Sequence, residues 1–280
     1  MKTVKLPSGE NVPALGMGTW NIGNSRAQRA EEIATLQLGV SLGLSLVDTA
    51  EMYGEGDSEM LVGEAMATMA GMRDKVFLVS KVYPHNASRR GMGAACERSL
   101  KRLRTDRLDL YLLHWRGDVP LAETLDAFTR LQEDGKIRYF GVSNFDLTDM
   151  QELLARPQGA AVATNQVLYN LMRRGIEWDL LPLCRERGIP LMAYSPIEQG
   201  RLVSNTRLVE FAQRHGITPA HAALGWLLAR DDIIAIPKTA TRERLRENMQ
   251  ALEKPLSAAQ LAELETLFPP PKAARPLEML

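Results

Sequence analysis

Short apolar runs and amphipathic stretches alternate along nearly the whole chain, and each apolar run stops at a polar side chain. Residues 3–6 and 11–14 flank a Pro-Ser-Gly-Glu turn, which predicts a β-hairpin. Beyond it, apolar runs predict strands over 15–18, 44–48, 76–82, 108–114, 137–143, 161–166, 190–194 and 233–236. Helical periodicity fills the intervals, over 26–42, 58–69, 88–103, 121–132, 147–154, 176–187, 207–215, 219–229 and 242–252, with a last helix over 258–267. Ile33, Leu36 and Val40 share one face of the first helix, and Leu121, Leu125 and Phe128 one face of the fourth.

Strands that are apolar throughout, alternating with helices, mean a parallel sheet covered by helices. Eight strand–helix units in 280 residues, without a composition break, predict one domain over 1–280. The expected fold is a closed (β/α)8 barrel of the TIM type, with an N-terminal β-hairpin and an extra C-terminal helix. The rival is an open, doubly wound sheet. It carries G-x-G-x-x-G when it binds dinucleotides, and Gly54-x-Gly56 and Gly91-x-Gly93 both lack the third glycine. The Pro-rich residues 269–280 are expected to form a loosely ordered tail, with Met279 and Leu280 free to fold back over the barrel mouth.

A parallel barrel brings the carboxyl ends of its strands to one face, where barrel active sites sit. The predicted strand ends carry Asp48, Lys81, His114, Ser143-Asn144, Asn165-Gln166, Tyr194-Ser195 and Pro237-Lys238. Neighbouring strands lie about 4.8 Å apart, so inward-facing side chains at adjacent ends can meet. A lone lysine there is ordinarily a solvated strand end, and a lone histidine ordinarily structural. Asp48, Lys81 and His114 end three consecutive strands, however, and Tyr53 follows the first of them. A buried lysine needs a counter-charge, which Asp48 supplies. A tyrosine beside an ammonium is expected to have its pKa lowered from about 10, which suits Tyr53 to donate a proton. His114 can donate a hydrogen bond to a carbonyl oxygen. Lys238, Thr239 and Arg244 open the last predicted strand–helix turn, a place suited to an anion such as phosphate.

Charge narrows the choice further. Lys plus Arg and Asp plus Glu each number 34, so nothing favours a nucleic-acid or membrane surface. No apolar run reaches the length of a signal-peptide core or a membrane span. Cys96 and Cys184 are isolated in helical patterns, which excludes a disulfide framework or zinc site and fits a reducing cytoplasm; no metal is expected.

Six motifs occur in order: DTAEMYGEGDSE at 48–59, LDLYLLHW at 108–115, GVSNF at 141–145, ATNQ at 163–166, YSP at 194–196 and IPKTATRERLREN at 236–248. With GMGTW at 16–20 they resemble the aldo-keto reductase family over essentially the whole chain. The resemblance implies NADPH-dependent reduction of aldehydes and ketones, with a catalytic tetrad of Asp48, Tyr53, Lys81 and His114. It places the nicotinamide carboxamide on Ser143, Asn144 and Gln166, and the nicotinamide ring on Tyr194. Pyrophosphate contacts fall around 195–200, with Ser195, Pro196 and Gly200 as the named contacts. The 2′-phosphate and adenine fall on Lys238, Thr239, Arg244, Glu247 and Asn248, and the two cations favour NADPH over NADH. Thr19 and Trp20 border the cofactor, as Asp48 does. Trp20, Tyr53, Tyr83, His114 and Trp115 form the substrate pocket.

The bacterial branch that reduces methylglyoxal and other small aldehydes is the part of the family the chain resembles, and a monomer is the family default. Glu198 lies on the expected pyrophosphate path, where its carboxylate repels phosphate unless it points away. Two alternatives stay open on the sequence: a Schiff-base aldolase using Lys81, and a nicotinamide-nucleotide-binding regulatory subunit with little turnover.

Overall fold

A computed structural model of the chain describes residues 1–280. β1 (Thr3–Lys5) and β2 (Asn11–Pro13) form the antiparallel hairpin, with Val4 opposite Val12. Eight parallel strands follow: β3 (Met17–Gly18), β4 (Leu46–Asp48), β5 (Phe77–Val82), β6 (Leu108–Leu113), β7 (Ile137–Ser143), β8 (Asn165–Leu168), β9 (Leu191–Tyr194) and β10 (Ile233–Ala235). Each pairs with its neighbours in chain order. The ring is closed by parallel bridges from Leu15 to Ala235 and from Gly18 to Lys238. The Gly18 N–H donates to the Pro237 carbonyl at 2.9 Å. A Cβ at Gly18 would stand 2.9 Å from the Ile236 carbonyl oxygen, so the seam closes only around glycine.

The helices are α1 (Arg29–Ser41), α2 (Asp57–Ala67), the one-turn α3 (Met72–Lys75), α4 (Arg89–Leu103), α5 (Leu121–Glu133), α6 (Leu147–Leu154), α7 (Leu180–Glu186), α8 (Thr206–His215), α9 (Pro219–Leu228), α10 (Arg242–Glu253) and α11 (Ala258–Leu267). Their starts are written locally. Ser88 caps α4 by accepting the Gly91 N–H at 3.0 Å. Asp146 with Asp149, and Ser257 with Gln260, form capping boxes at α6 and α11. Thr218 caps α9, whose first residue is Pro219.

The structure departs from the sequence expectation in three places. The strand expected over 161–166 lies at Asn165–Leu168, because 158–161 wind into a 3-10 turn. The helix expected over 176–187 begins only at Leu180, after a 3-10 turn at Gly175–Glu177; Asp179 accepts the Leu180 N–H at 2.6 Å and sets that start. The tail after α11 has no regular structure, yet it is docked rather than loose. The Arg174 guanidinium donates to the Phe268 carbonyl, Leu277 packs on the core, and Arg173 pairs with Glu278 at 2.5 Å.

Packing between helices generates a pair of matched expectations. A Cβ at Gly63 in α2 would lie 2.3 Å from the Arg102 carbonyl oxygen of α4, so Gly63→Ala forces the two helices apart. It should cost about 1–3 kcal/mol. A Cβ at Gly93 in α4 meets nothing within 4 Å, and Gly93→Ala should stabilise by about 0.5–1 kcal/mol. Thermal and urea unfolding midpoints should therefore move in opposite directions for the two variants; shifts of the same sign would contradict this packing.

Candidate active site

Barrel geometry carries three side chains inward from adjacent strands. Asp48 ends β4, Lys81 lies one residue before the end of β5, and His114 follows β6. Lys81 is wholly buried, and its ammonium has three donors to place. One goes to Asp48 Oδ2 at 2.8 Å, one to the Thr49 carbonyl at 2.9 Å, and one to the Tyr53 hydroxyl at 2.9 Å. Gln166 Nε2 donates to Asp48 Oδ1 at 2.8 Å, so both carboxylate oxygens are held. Behind them, the Thr19 hydroxyl and N–H donate to the Asp48 carbonyl at 2.9 and 3.0 Å, and Ser58 donates to the Thr19 carbonyl at 2.5 Å. The loop that carries Tyr53 is thereby anchored from both sides.

The electrostatics follow from burial. Burial opposes the charge on Lys81, but Asp48 and then Tyr53 more than offset it, and its pKa lies above the ordinary value. Burial pushes Tyr53 up as well, and the neighbouring Lys81 ammonium offsets only part of that push. The lowered tyrosine pKa expected from the sequence is thus corrected: in this apolar setting desolvation of the phenolate outweighs the ammonium, and the resting group is a neutral phenol. His114 is held down to about 2 by burial and then by Lys81, so its imidazole is neutral. Its Nδ1 is buried with no partner. An unmet acceptor there costs less than an unmet donor, which favours the tautomer with the proton on Nε2. The Tyr53 and His114 rings stand edge to face, 5.9 Å apart.

A cavity of about 580 Å³ opens over this group. Trp20, Asp48, Tyr53 and His114 line it, as do Ser143, Asn144, Gln166 and Tyr194. Ser195, Pro196, Gly200, Lys238 and Arg244 complete the expected residues found on its wall. Others stand elsewhere. Thr19, Thr239 and Asn248 are buried outside the lining; Asn248 Nδ2 donates to the Thr239 hydroxyl at 3.2 Å. Glu247 is half-buried and also outside it. Tyr83 and Trp115 do not line the cavity: the Tyr83 hydroxyl donates to Glu55 at 3.0 Å, and Trp115 lies between the Tyr83 and His114 rings, at 5.9 and 5.0 Å.

Sequence reasoning gave no role to Gly18, Asn21, Met52 and Ile236, which also line the cavity, and included Ile197 and Gln199 only within the 195–200 stretch. Met52 lies inside the DTAEMYGEGDSE stretch and is 37% exposed, an apolar side chain in a polar loop; that was the available signal. Gln199 gave none, since a left-handed backbone at a glutamine is not written in its sequence neighbourhood.

Lys238 and Arg244 form no ion pair, although arginines elsewhere are extensively paired. Two cations facing one cavity, neither of them paired with a carboxylate, suit a phosphate-bearing ligand. Left-handed backbone at Ser195, Glu198 and Gln199, with φ of 47°, 51° and 54°, shapes the adjoining wall. Such strain on non-glycine residues concentrates at ligand sites. Glu198 points away from the cavity into the protein, where Asn170 donates to it at 2.7 Å and Arg173 at 2.9 Å, which removes the repulsion raised by its sequence position. These residues fit a nicotinamide dinucleotide phosphate.

Residues 14–268 match the model of the Aldo/keto reductase family. The chain is 48% identical to methylglyoxal reductase YeaE of Escherichia coli (strain K12), covering 100% of this chain and 99% of that protein. It is 33% identical to glyoxal reductase of Bacillus subtilis (strain 168), over 95% of this chain and 92% of that one. Among solved structures, an aldo/keto reductase from Klebsiella pneumoniae in complex with NADP and acetate superposes with a TM-score of 0.95 at 47% identity, covering 100% of this chain and 99% of that chain.

The depressed His114 pKa fixes a stability signature. Unfolded histidine takes up a proton below about 6.5, whereas His114 in the folded protein stays neutral down to about 2. Stability contributed by His114 is therefore complete above pH 6.5 and falls as the pH drops below it, by up to about 1.4 kcal/mol per pH unit. Wild type should lose stability relative to His114→Gln between pH 6.5 and 4, read from urea unfolding of both proteins. A constant difference across that window would show that His114 titrates normally.

Proposed function

The chain belongs to the aldo/keto reductase family and is an NADP-dependent oxidoreductase, and we propose that it reduces methylglyoxal and other small or aromatic aldehydes and ketones to alcohols, with Tyr53 as proton donor. The observation that carries this reading is the Tyr53 hydroxyl held at 2.9 Å from a wholly buried ammonium whose other donors are already committed. NADPH, when bound, supplies the hydride.

The substrate carbonyl oxygen takes a hydrogen bond from the Tyr53 hydroxyl and one from His114 Nε2. As negative charge grows on that oxygen, the Tyr53 proton moves to it and the alcohol forms. The phenolate left behind faces the Lys81 ammonium, which Asp48 holds in place. Desolvation makes Tyr53 a neutral acid at rest, and the ammonium takes up the charge only when the proton has left. Solvent then returns the proton to Tyr53. Lys81 acting instead as a Schiff-base nucleophile requires a neutral amine, which the Asp48 pairing opposes.

On this reading Lys238 and Arg244 hold the 2′-phosphate, with Thr239, Glu247 and Asn248 toward the adenine. Ser195, Pro196 and Gly200 serve the pyrophosphate, and Tyr194 the nicotinamide ring. Ser143, Asn144 and Gln166 serve the carboxamide; Gln166 Nε2 is committed to Asp48, which leaves its Oε1 as the acceptor. Thr19 and Asp48 support the cofactor end, and Trp20 flanks the substrate. Tyr83 and Trp115 act from outside the cavity, through the position of His114. Trp20 and Met52 are 41% and 37% exposed beside the catalytic group, an apolar rim suited to short or aromatic aldehydes. We place the protein in the cytoplasm as a monomer. Buried, unpaired Cys96 and Cys184 support a reducing compartment, and no helix is long and apolar enough to cross a membrane.

NADPH oxidation with methylglyoxal and a panel of short and aromatic aldehydes, with NADH in parallel, tests the activity. Tyr53→Phe should lower kcat at least about 100-fold, the lower bound for losing a general acid, and leave NADPH affinity intact. Near-full turnover by that variant on its best aldehyde would remove Tyr53 from the role.

A further inference from the structure

The tail and the loop at 195–200 meet at one arginine. Leu280 lines the cavity together with Tyr194. Two residues earlier, Glu278 accepts from Arg173 Nη1 at 2.5 Å. The same guanidinium donates through Nε to Glu198 Oε1 at 2.9 Å, and its Nη2 lies 2.9 Å from that oxygen. Glu198 has 1% side-chain exposure, so its carboxylate depends on protein partners, and Arg201 Nη2 also donates to its Oε1 at 3.1 Å. Asn170 completes the knot: its Nδ2 donates to Glu198 at 2.7 Å and to the Ser195 carbonyl at 2.9 Å, while its Oδ1 accepts the Arg173 N–H at 3.1 Å.

This knot has a task. Left-handed backbone at Ser195, Glu198 and Gln199 disfavours the loop unless its surroundings impose it. The buried Glu198 side chain is the anchor that imposes it, and Arg173 is the anchor's main cation. Glu278 fixes the outer end of that guanidinium.

We propose that Arg173 clamps the C-terminal tail to the 195–200 loop, so that Glu278 and Arg173 are positioning residues for NADPH and the docked tail closes the cavity with Leu280. The proposal rests on the assignment of that loop to the cofactor. Neither Arg173 nor Glu278 lines the cavity, so they act through the loop. Coupling of this kind is reciprocal: if a docked tail favours the binding conformation of the loop, bound NADPH must favour the docked tail.

Replacing Arg173 leaves the buried Glu198 charge with only the more exposed Arg201 as counter-charge and endangers folding, so the clamp is cut from the tail side. NADPH dissociation constants, read by tryptophan fluorescence, are compared among the full chain, Glu278→Gln and a chain ending at residue 276. Glu278 is 39% exposed, which limits the expected weakening for Glu278→Gln to about three- to fivefold. The shortened chain, which also lacks Leu280, should weaken further. In Glu278→Gln the KM for NADPH should rise while kcat at saturating NADPH stays within about twofold. Amide exchange at 195–200 should quicken in both variants, and NADPH should slow exchange at 277–280 in the full chain. Dissociation constants within twofold of the full chain, with unchanged exchange at 195–200, overturn the clamp. Arg244→Ala separates the two layers: weakened NADPH binding there with unaffected tail variants overturns the clamp alone, and unaffected binding in all three variants overturns the cofactor assignment as well.

Discussion

An ammonium group buried without access to water must place three protons on protein acceptors, and at Lys81 each acceptor fixes a different part of the site. Asp48 ties β5 to the end of β4, the Thr49 carbonyl fixes the backbone just beyond it, and the Tyr53 hydroxyl is held at the cavity wall. Removing one partner of such a pair costs about 3–5 kcal/mol, because the other charge stays buried and unpaired. The same environment sets the acid–base states. It keeps Tyr53 protonated and His114 neutral, two neutral donors beside one permanent cation. On the proposed mechanism, charge is thus stored where it is needed after proton transfer rather than before it.

Most of this was legible in the sequence because barrel topology converts strand order into proximity. Once alternating runs indicate a barrel, Asp48, Lys81 and His114 at three consecutive strand ends must approach one another, whatever their separation along the chain. The direction of the Tyr53 pKa was not legible. It is a contest between desolvation and one ammonium, and only the burial of the phenol decides it. The start of α7 was missed for a related reason: Ile176, Leu180 and Leu183 keep helical spacing, but the turn at Gly175–Glu177 interrupts the helix without breaking the apolar pattern. Tyr83 and Trp115 show the limit of motif matching. Their positions along the chain are right for a pocket wall, while their rings pack behind His114 and on each other.

Glu198 illustrates how a residue's meaning depends on which way it faces. In sequence it is an acid on the path of a phosphate chain. In the structure it is the internal post on which the 195–200 loop hangs, and the negative charge that seemed to oppose the ligand instead neutralises Arg173 and Arg201. Apart from Arg201, nothing in its sequence neighbourhood announces this, because its partners Asn170 and Arg173 belong to the loop after β8.

The two ends of the barrel contain the same kinds of residue put to opposite uses. Under the hairpin, at the amino ends of the strands, Arg138 pairs with Asp109 at 2.9 Å and with Glu10 at 2.5 Å, and Arg73 pairs with Asp109 at 3.1 Å. A second cleft, of about 260 Å³, lies there, and these arginines line it. Their charges are already met from within the chain, so the cleft has little left to offer an anion, and its network reads as a fastening between hairpin and barrel. At the carboxyl ends Lys238 and Arg244 face a cavity whose one acidic side chain, Asp48, is already paired with Lys81. Counting basic residues would favour the hairpin cleft, which Arg73, Lys75, Arg107 and Arg138 line, over the cavity with Lys238 and Arg244. What separates them is whether the arginine charges have been answered inside the fold, and a cation left unanswered beside a strained loop suits a phosphate group.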